Sequence, residues 1–258
     1  MSIATSADGT SIEYSATGDG RTIVIVNGAL STAADAAPLA QALADAGFRA
    51  VTWDRRARGG SGDRRGSTPD DEASDLAAVI EAVGGADAVL GHSSGAVLAL
   101  FAASQGAPTG ALFLSEPPLD FDGSGVQPAD LSDRLQSLVD AGQPGEAVEA
   151  FQIEAVGLPR EMVEAGRTNG MLAALTPLAQ STVYDTRLVW RMRRPNADLL
   201  AVDRPVTVLR GEQTFPFLIT ASDWAGAHIP GAELVVVPES VMHRADPAAT
   251  ARVIAERI

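Results

Sequence analysis

The stretch Ala86-Asp87-Ala88-Val89-Leu90-Gly91-His92-Ser93-Ser94-Gly95 constrains the fold more than any other part of the chain. A short apolar run ends in Gly-His-Ser-Ser-Gly, and an Ala- and Leu-rich segment of helical character begins at once. Such a pattern reads as strand, sharp turn, helix, with Ser93 at the apex and its hydroxyl pushed clear of the sheet. Gly91 and Gly95 leave the flanking positions without side chains, so the helix can pack tightly beneath the turn. The first backbone N–H groups of that helix have no intrahelical partner and carry partial positive charge. A hydroxyl placed there can attack a carbonyl whose oxygen falls beside those donors. Gly-x-Ser-x-Gly alone is a weak signal; the strand before it and the helix after it give it weight.

The rest of the chain supports an alternating architecture. Ile3 with Thr5, then Ile12 with Tyr14, read as a hairpin turning at Asp8-Gly9. Thr22–Val26 is a continuous apolar and β-branched run, the signature of a strand buried on both faces of a parallel sheet. Pro38 opens a helix that Gly47 closes, and Phe48–Trp53 is the next strand. A loop rich in Arg and Gly follows, Asp54 to Gly62. Thr68 then caps a helix with Pro69 at its first position and Leu76, Val79, Ile80 and Val83 on one face. After the Ser93 turn, Ala111–Ser115 is a strand ending at Glu116. From Leu119 to about Val202 the pattern is helical throughout. The sheet resumes with Pro205–Leu209, ending at Gly211, and with Ala232–Val237. The loop Pro238 to Arg244 carries His243, and Asp246-Pro247 starts a last helix. Strands alternating with helices predict a parallel sheet covered on both faces. The helical stretch reads as a cap over the C-terminal edge of that sheet, where sites of open α/β sheets form.

Composition excludes several classes. There is no Cys, so disulfides are excluded, and with only three His a dedicated zinc site is not expected. The formal charge of -14 argues against nucleic acid or an anionic membrane as partner. The first residues lack a basic region followed by an apolar run, and no apolar stretch is long enough to span a bilayer. The expectation is a cytoplasmic monomer or homodimer acting on a small molecule.

Taken together, Asn27-Gly28-Ala29, Asp54-Arg55-Arg56 with Arg58-Gly59 and Ser61, Gly91-His92-Ser93-Ser94-Gly95, and His243 after the last strand resemble the α/β-hydrolase superfamily along nearly the whole length. The resemblance implies an eight-stranded, mostly parallel sheet with helices on both faces and a helical cap inserted after the sixth strand. The core would be residues 1–118 and 204–258, and the cap residues 119–203. It implies Ser93 as nucleophile and His243 as general base, with the backbone N–H groups of Ala29 and Ser94 as oxyanion donors. Asn27 stands where the family usually has His, a departure of little weight because only the backbone is required there. His92 is expected to pack beside the turn, and His228 to lie in a surface loop.

The acid departs from the usual pattern. Thr214 occupies the place after the seventh strand where most members have Asp. Glu116, at the end of the sixth strand, holds the superfamily's alternative location. Glu212, Asp223 or no acid at all are the other readings, and Glu116 has a purely structural reading as a partner of the Arg-rich loop. Phe121, Tyr184, Trp190 and Met192 are candidate substrate-lining residues, with Met162 and Met171 behind them. Arg187, Arg191, Arg193 and Arg194 read as a solvated helix face pairing with Asp and Glu.

A Ser nucleophile fits acyl transfer to water. The resemblance therefore implies a cofactor-free serine hydrolase cleaving a small apolar carboxylic ester or lactone through an acyl-enzyme. A lyase or other non-hydrolytic enzyme on this fold, or a catalytically weak ligand-binding member, is the alternative, since fold alone does not separate them.

Overall fold

The computed structural model describes residues 1–121 and 127–258. β1 (Ser2–Thr5) and β2 (Ser11–Thr17) form the N-terminal hairpin. β3 (Thr22–Val26), α1 (Ala37–Asp45), β4 (Arg49–Trp53), α2 (Pro69–Ala82), β5 (Ala88–His92), α3 (Ser94–Ser104) and β6 (Ala111–Ser115) follow. Between β6 and β7 come α4 (Leu131–Asp140), α5 (Pro144–Glu154), α6 (Arg160–Thr168), α7 (Met171–Leu175), α8 (Ala179–Met192) and α9 (Ala197–Leu200). β7 (Val206–Gln213), α10 (Pro216–His228), β8 (Glu233–Val241) and α11 (Pro247–Ala255) complete the chain. The eight strands make one sheet in the order β1-β2-β4-β3-β5-β6-β7-β8. β1 and β2 are antiparallel, and β4 to β8 run parallel with β3.

The centre of the sheet is apolar on both sides, which is why its strands read as unbroken runs. Ile23 and Ile25 of β3 face one way, into a core with Leu43, Phe48, Leu90, Phe113 and Ile254. Val24 and Val26 face the other way, against Leu76, Ile80, Val89, Val97 and Leu114. Each such side chain contributes roughly 1.5–3 kcal/mol by leaving water. α3 is apolar all round because it is enclosed all round: residues Ser94 to Ala103 are all buried. The expected caps are present. Thr68 accepts from the Asp71 N–H in a reciprocal capping box, and Asp246 accepts from the Ala249 N–H at 2.8 Å.

β7 and β8 run further than the sequence pattern suggests, to Gln213 and Val241. They continue past a register shift between Gly211 and Gln213. β8 is the edge strand, so Pro238 costs it no ladder bond, and Leu234, Val236 and Val241 are exposed there. The extension carries the chain up to His243 at the C-terminal edge of the sheet.

The helices between β6 and β7 pack around Leu131, Leu135, Val148, Phe151, Val183 and Tyr184. Ala29, Leu30 and Ala57 of the loops after β3 and β4 lie against this cluster. α8 belongs to two cores, because Leu188 and Met192 near its C-terminal end pack with α3. Among the described residues no helix is long and apolar enough to cross a membrane.

Candidate active site

The turn after β5 holds Ser93 at φ 54°, ψ -126°, a region that residues with a Cβ rarely adopt. Both flanking glycines are sterically required. A Cβ on Gly91 would lie 2.5 Å from the Ala96 Cα, and one on Gly95 would lie 2.1 Å from the Val26 carbonyl oxygen. The loop after β3 abuts the turn closely, so that a Cβ on Gly28 would lie 3.0 Å from that of Ser93. Leu30, Ala57, Glu116, Met242 and His243 also have positive φ. All lie in loops at the C-terminal edge of the sheet, where backbone strain commonly marks functional sites.

Glu116 follows β6 directly, and its backbone N–H donates to the Leu209 carbonyl at 2.9 Å. The residue is buried, with its side chain 4 % exposed. Oε1 accepts from the Gly211 N–H at 2.9 Å, and Oε2 accepts from the Thr214 hydroxyl at 3.1 Å. His243 Nδ1 stands 2.5 Å from Oε2. A carboxylate can only accept, so the ring proton sits on Nδ1 and the Nε2 lone pair is free. Burial would raise the Glu116 carboxyl, but the hydrogen bonds from His243, Gly211 and Thr214 hold it below the usual carboxylate range. Thr214, at the usual position of the acid, thus serves as a donor to Glu116.

The structural reading of Glu116 as a partner of the Arg-rich loop does not hold, since that loop has other carboxylates. Arg56 makes a bidentate pair with Asp75 at 2.6 Å and reaches Asp8 of the hairpin at 3.2 Å. Arg55 pairs with Glu72 of α2 at 2.6 Å and with Asp185 of α8 at 2.8 Å. Arg58 pairs with the other Asp185 oxygen at 2.6 Å. Asp185 also accepts from the Ser94 hydroxyl at 2.7 Å. Burial would raise the Asp185 carboxyl, but the two guanidiniums hold it below its usual value.

Ser93, His243, Ser94 and Asp185 line one cavity of about 80 Å³ with Phe151, Val156, Thr186, Val189, Phe215 and Leu218. The four expected lining residues are not among its walls. Tyr184 packs in the core of the helical segment, with its hydroxyl donating to Asp63 at 2.8 Å. Met192 is in the main core, Trp190 lies under the Arg193 guanidinium, and Phe121 stacks on Trp224. Met162 and Met171 are exposed. The cause is helical period: Asp185 and Val189 share the cavity face of α8, whereas Tyr184, Leu188 and Met192 lie along another. Sequence reasoning does not find Asp185; that it is the one carboxylate on α8 is its only signal.

His92 packs against the His243 ring, with centroids 4.6 Å apart. Burial and the adjacent His243 push its imidazole down to about 3. His228 is exposed at the end of α10 and stacks on Trp224. Arg191 forms an exposed pair with Asp70, as on a solvated face, whereas Arg187 is half-buried and donates to the Ser67 carbonyl at 3.3 Å.

Comparison with known proteins agrees with this architecture. No curated protein has significant sequence similarity to the chain. An alpha/beta hydrolase from Sphaerobacter thermophilus is 36% identical over 99% of both chains, with a TM-score of 0.90. The enol-lactonase from Burkholderia xenovorans shares the fold at 18% identity, with a TM-score of 0.69 over 99% of this chain and 98% of its own. A thermophilic esterase from Thermogutta terrifontis does so at 20% identity, with a TM-score of 0.71 over 99% and 95%. The model of the alpha/beta hydrolase family matches residues 23–253, from the third strand into the last helix, and the chain belongs to that family.

Proposed function

We propose that the protein is a serine hydrolase that cleaves a small, largely apolar carboxylic ester or lactone through an acyl-enzyme on Ser93. The observation that carries this reading is the contact of His243 Nδ1 with the buried Glu116 carboxylate, at the rim of the cavity that Ser93 lines. The Ser93 hydroxyl attacks the substrate carbonyl carbon while His243 Nε2 takes its proton. The carbonyl oxygen becomes an oxyanion, which the N–H groups of Ala29 and Ser94 receive. Glu116 stabilises the imidazolium and stays ionised. As the intermediate collapses, the bond to the leaving oxygen breaks and His243 returns its proton to that oxygen. Water then repeats the sequence, with His243 as base, and releases the acid and free Ser93. A lactone would give its ring-opened hydroxy acid by the same steps. The small apolar cavity suits a short acyl group, and an esterase and an enol-lactonase are among the fold's neighbours.

The pH profile tests the base. His92, at about 3, stays neutral through the working range, and exposed His228 is not among the residues that line the cavity. The rate of p-nitrophenyl acetate hydrolysis should fall on acidification, because a general base acts only when neutral. His228→Ala should keep both the rate and the acid limb. His243→Ala should lower kcat on the order of a million-fold, the cost of removing the triad histidine from a serine hydrolase. Similar activity in the two variants would remove His243 from the mechanism.

A further inference from the structure

The peptide unit joining Gly28 to Ala29 carries both a carbonyl and the N–H expected to face the oxyanion. The Gly28–Ala29 peptide is trans, so these two groups point in opposite directions across one rigid plane. The Gly28 carbonyl accepts twice: from the Ser31 hydroxyl at 2.7 Å and from Arg58 Nη1 at 2.5 Å, and the same Arg58 nitrogen donates to the Ser31 carbonyl at 3.0 Å, holding that residue in place as well. The Ala29 N–H has no hydrogen-bond partner among the described residues. Arg58 is itself held by Asp185 at 2.6 Å through its other terminal nitrogen. The second oxyanion donor is tied to the same carboxylate. Asp185 Oδ1 accepts from the Ser94 hydroxyl at 2.7 Å, and Arg55 donates to Asp185 at 2.8 Å, to that hydroxyl at 3.1 Å and to the Asn27 carbonyl at 3.3 Å.

We propose that Arg58 and Asp185 form a buried clamp that positions both oxyanion donors, by fixing the Gly28–Ala29 peptide plane from its carbonyl side and seating Ser94 from its side chain. This role rests on the serine-hydrolase reading above, and neither residue touches the reacting atoms in it. A guanidinium bonded to a carbonyl draws electron density through the amide, which makes the opposite N–H a stronger donor. The fork geometry matters, because one side chain must reach Gly28, Ser31 and Asp185 together. The clamp also places a residue of the inserted helices under the nucleophile turn, so that seating α8 and shaping the oxyanion site become one event. Both side chains are nearly fully enclosed, at 2 % exposure for Arg58 and 1 % for Asp185.

Removing Arg58 alone leaves a buried carboxylate short of a partner, which is destabilising in its own right. The informative variant is Arg58→Met combined with Asp185→Asn, which keeps the Arg55, Arg58, Glu72 and Asp185 group neutral overall. Its kcat for p-nitrophenyl acetate should fall on the order of a hundredfold, the effect of losing an oxyanion donor, while KM stays within about threefold. The inhibition constant of an aryl trifluoromethyl ketone, whose adduct carries an oxyanion, should rise by a similar factor. A folded double variant with kcat and ketone affinity within about threefold of the wild type would overturn the clamp, as would a rise in KM alone. A double variant that does not fold would assign the pair to stability instead and also overturn it. Wild-type turnover that survives Ser93→Ala would instead overturn the serine-hydrolase reading, and the clamp would fall with it.

Discussion

Ser93→Ala should abolish hydrolysis of short-chain aryl esters and leave the fold unchanged. The expected loss is on the order of a million-fold in kcat, the cost of removing the nucleophile from a serine hydrolase. The remaining rate would come from the oxyanion donors and the cavity acting on water. Stability should hold because the substitution deletes one oxygen at a turn whose shape is set elsewhere. Gly91 and Gly95 allow the close approach of α3, and the Ser93 N–H donates to the Ser115 carbonyl at 2.9 Å whatever the side chain is. Alanine accepts the positive φ no better and no worse than serine. Thermal melting and the hydrolysis rate, measured on the same preparation, check both halves. A variant that keeps even about a tenth of the wild-type rate would rule out the nucleophile.

Glu116→Gln carries the second large effect. The amide has the shape of the carboxylate and can still accept from the Gly211 N–H. Its NH2 group, however, would face His243 Nδ1 in place of Oε2. An NH2 group donates, which would move the ring proton to Nε2 and leave no base facing Ser93. The corresponding change in a serine protease costs about ten-thousand-fold in kcat, and a loss of three to four orders of magnitude is expected here. Adding Thr214→Asp to Glu116→Gln should restore part of the rate, since the Thr214 hydroxyl lies only 3.1 Å from the Glu116 oxygen that meets His243. Near-normal turnover in the single variant would contradict the role of Glu116. So would lost stability with normal kcat, which would mark Glu116 as structural.

The parts of this site that could be read from sequence are those whose physics is local. A strand, a glycine-flanked serine and a helix within ten residues leave few conformations, so the Ser93 turn was legible without any knowledge of the rest. Glu116 was legible only through the family resemblance, which gives the end of the sixth strand as the alternative place for the acid. The buried central strands were legible because enclosure on both faces removes polar residues. The Asp185 contacts were not legible: Arg55 and Arg58 lie 130 and 127 residues away from it in the chain. Nothing in the charge pattern distinguishes those arginines from solvated ones, yet they are buried, whereas Arg191 is a surface residue. The cavity walls were missed for a related reason. Large aromatic and Met side chains occupy several environments, with Tyr184 and Met192 in cores and Met162 and Met171 on the surface, and only the orientation of α8 decides that Thr186 and Val189 face the cavity.

The central claim is an activated serine at position 93, and labelling with a fluorophosphonate probe followed by peptide mapping tests it most directly. Such a probe phosphonylates a hydroxyl only where a neighbouring base and oxyanion donors activate it, with fluoride leaving. One adduct per chain is expected, on the peptide holding Ser93, formed at a rate that collapses in His243→Ala and Glu116→Gln. An unlabelled Ser93 in folded, ester-cleaving protein, or an adduct on another residue that tracks loss of activity, would contradict it.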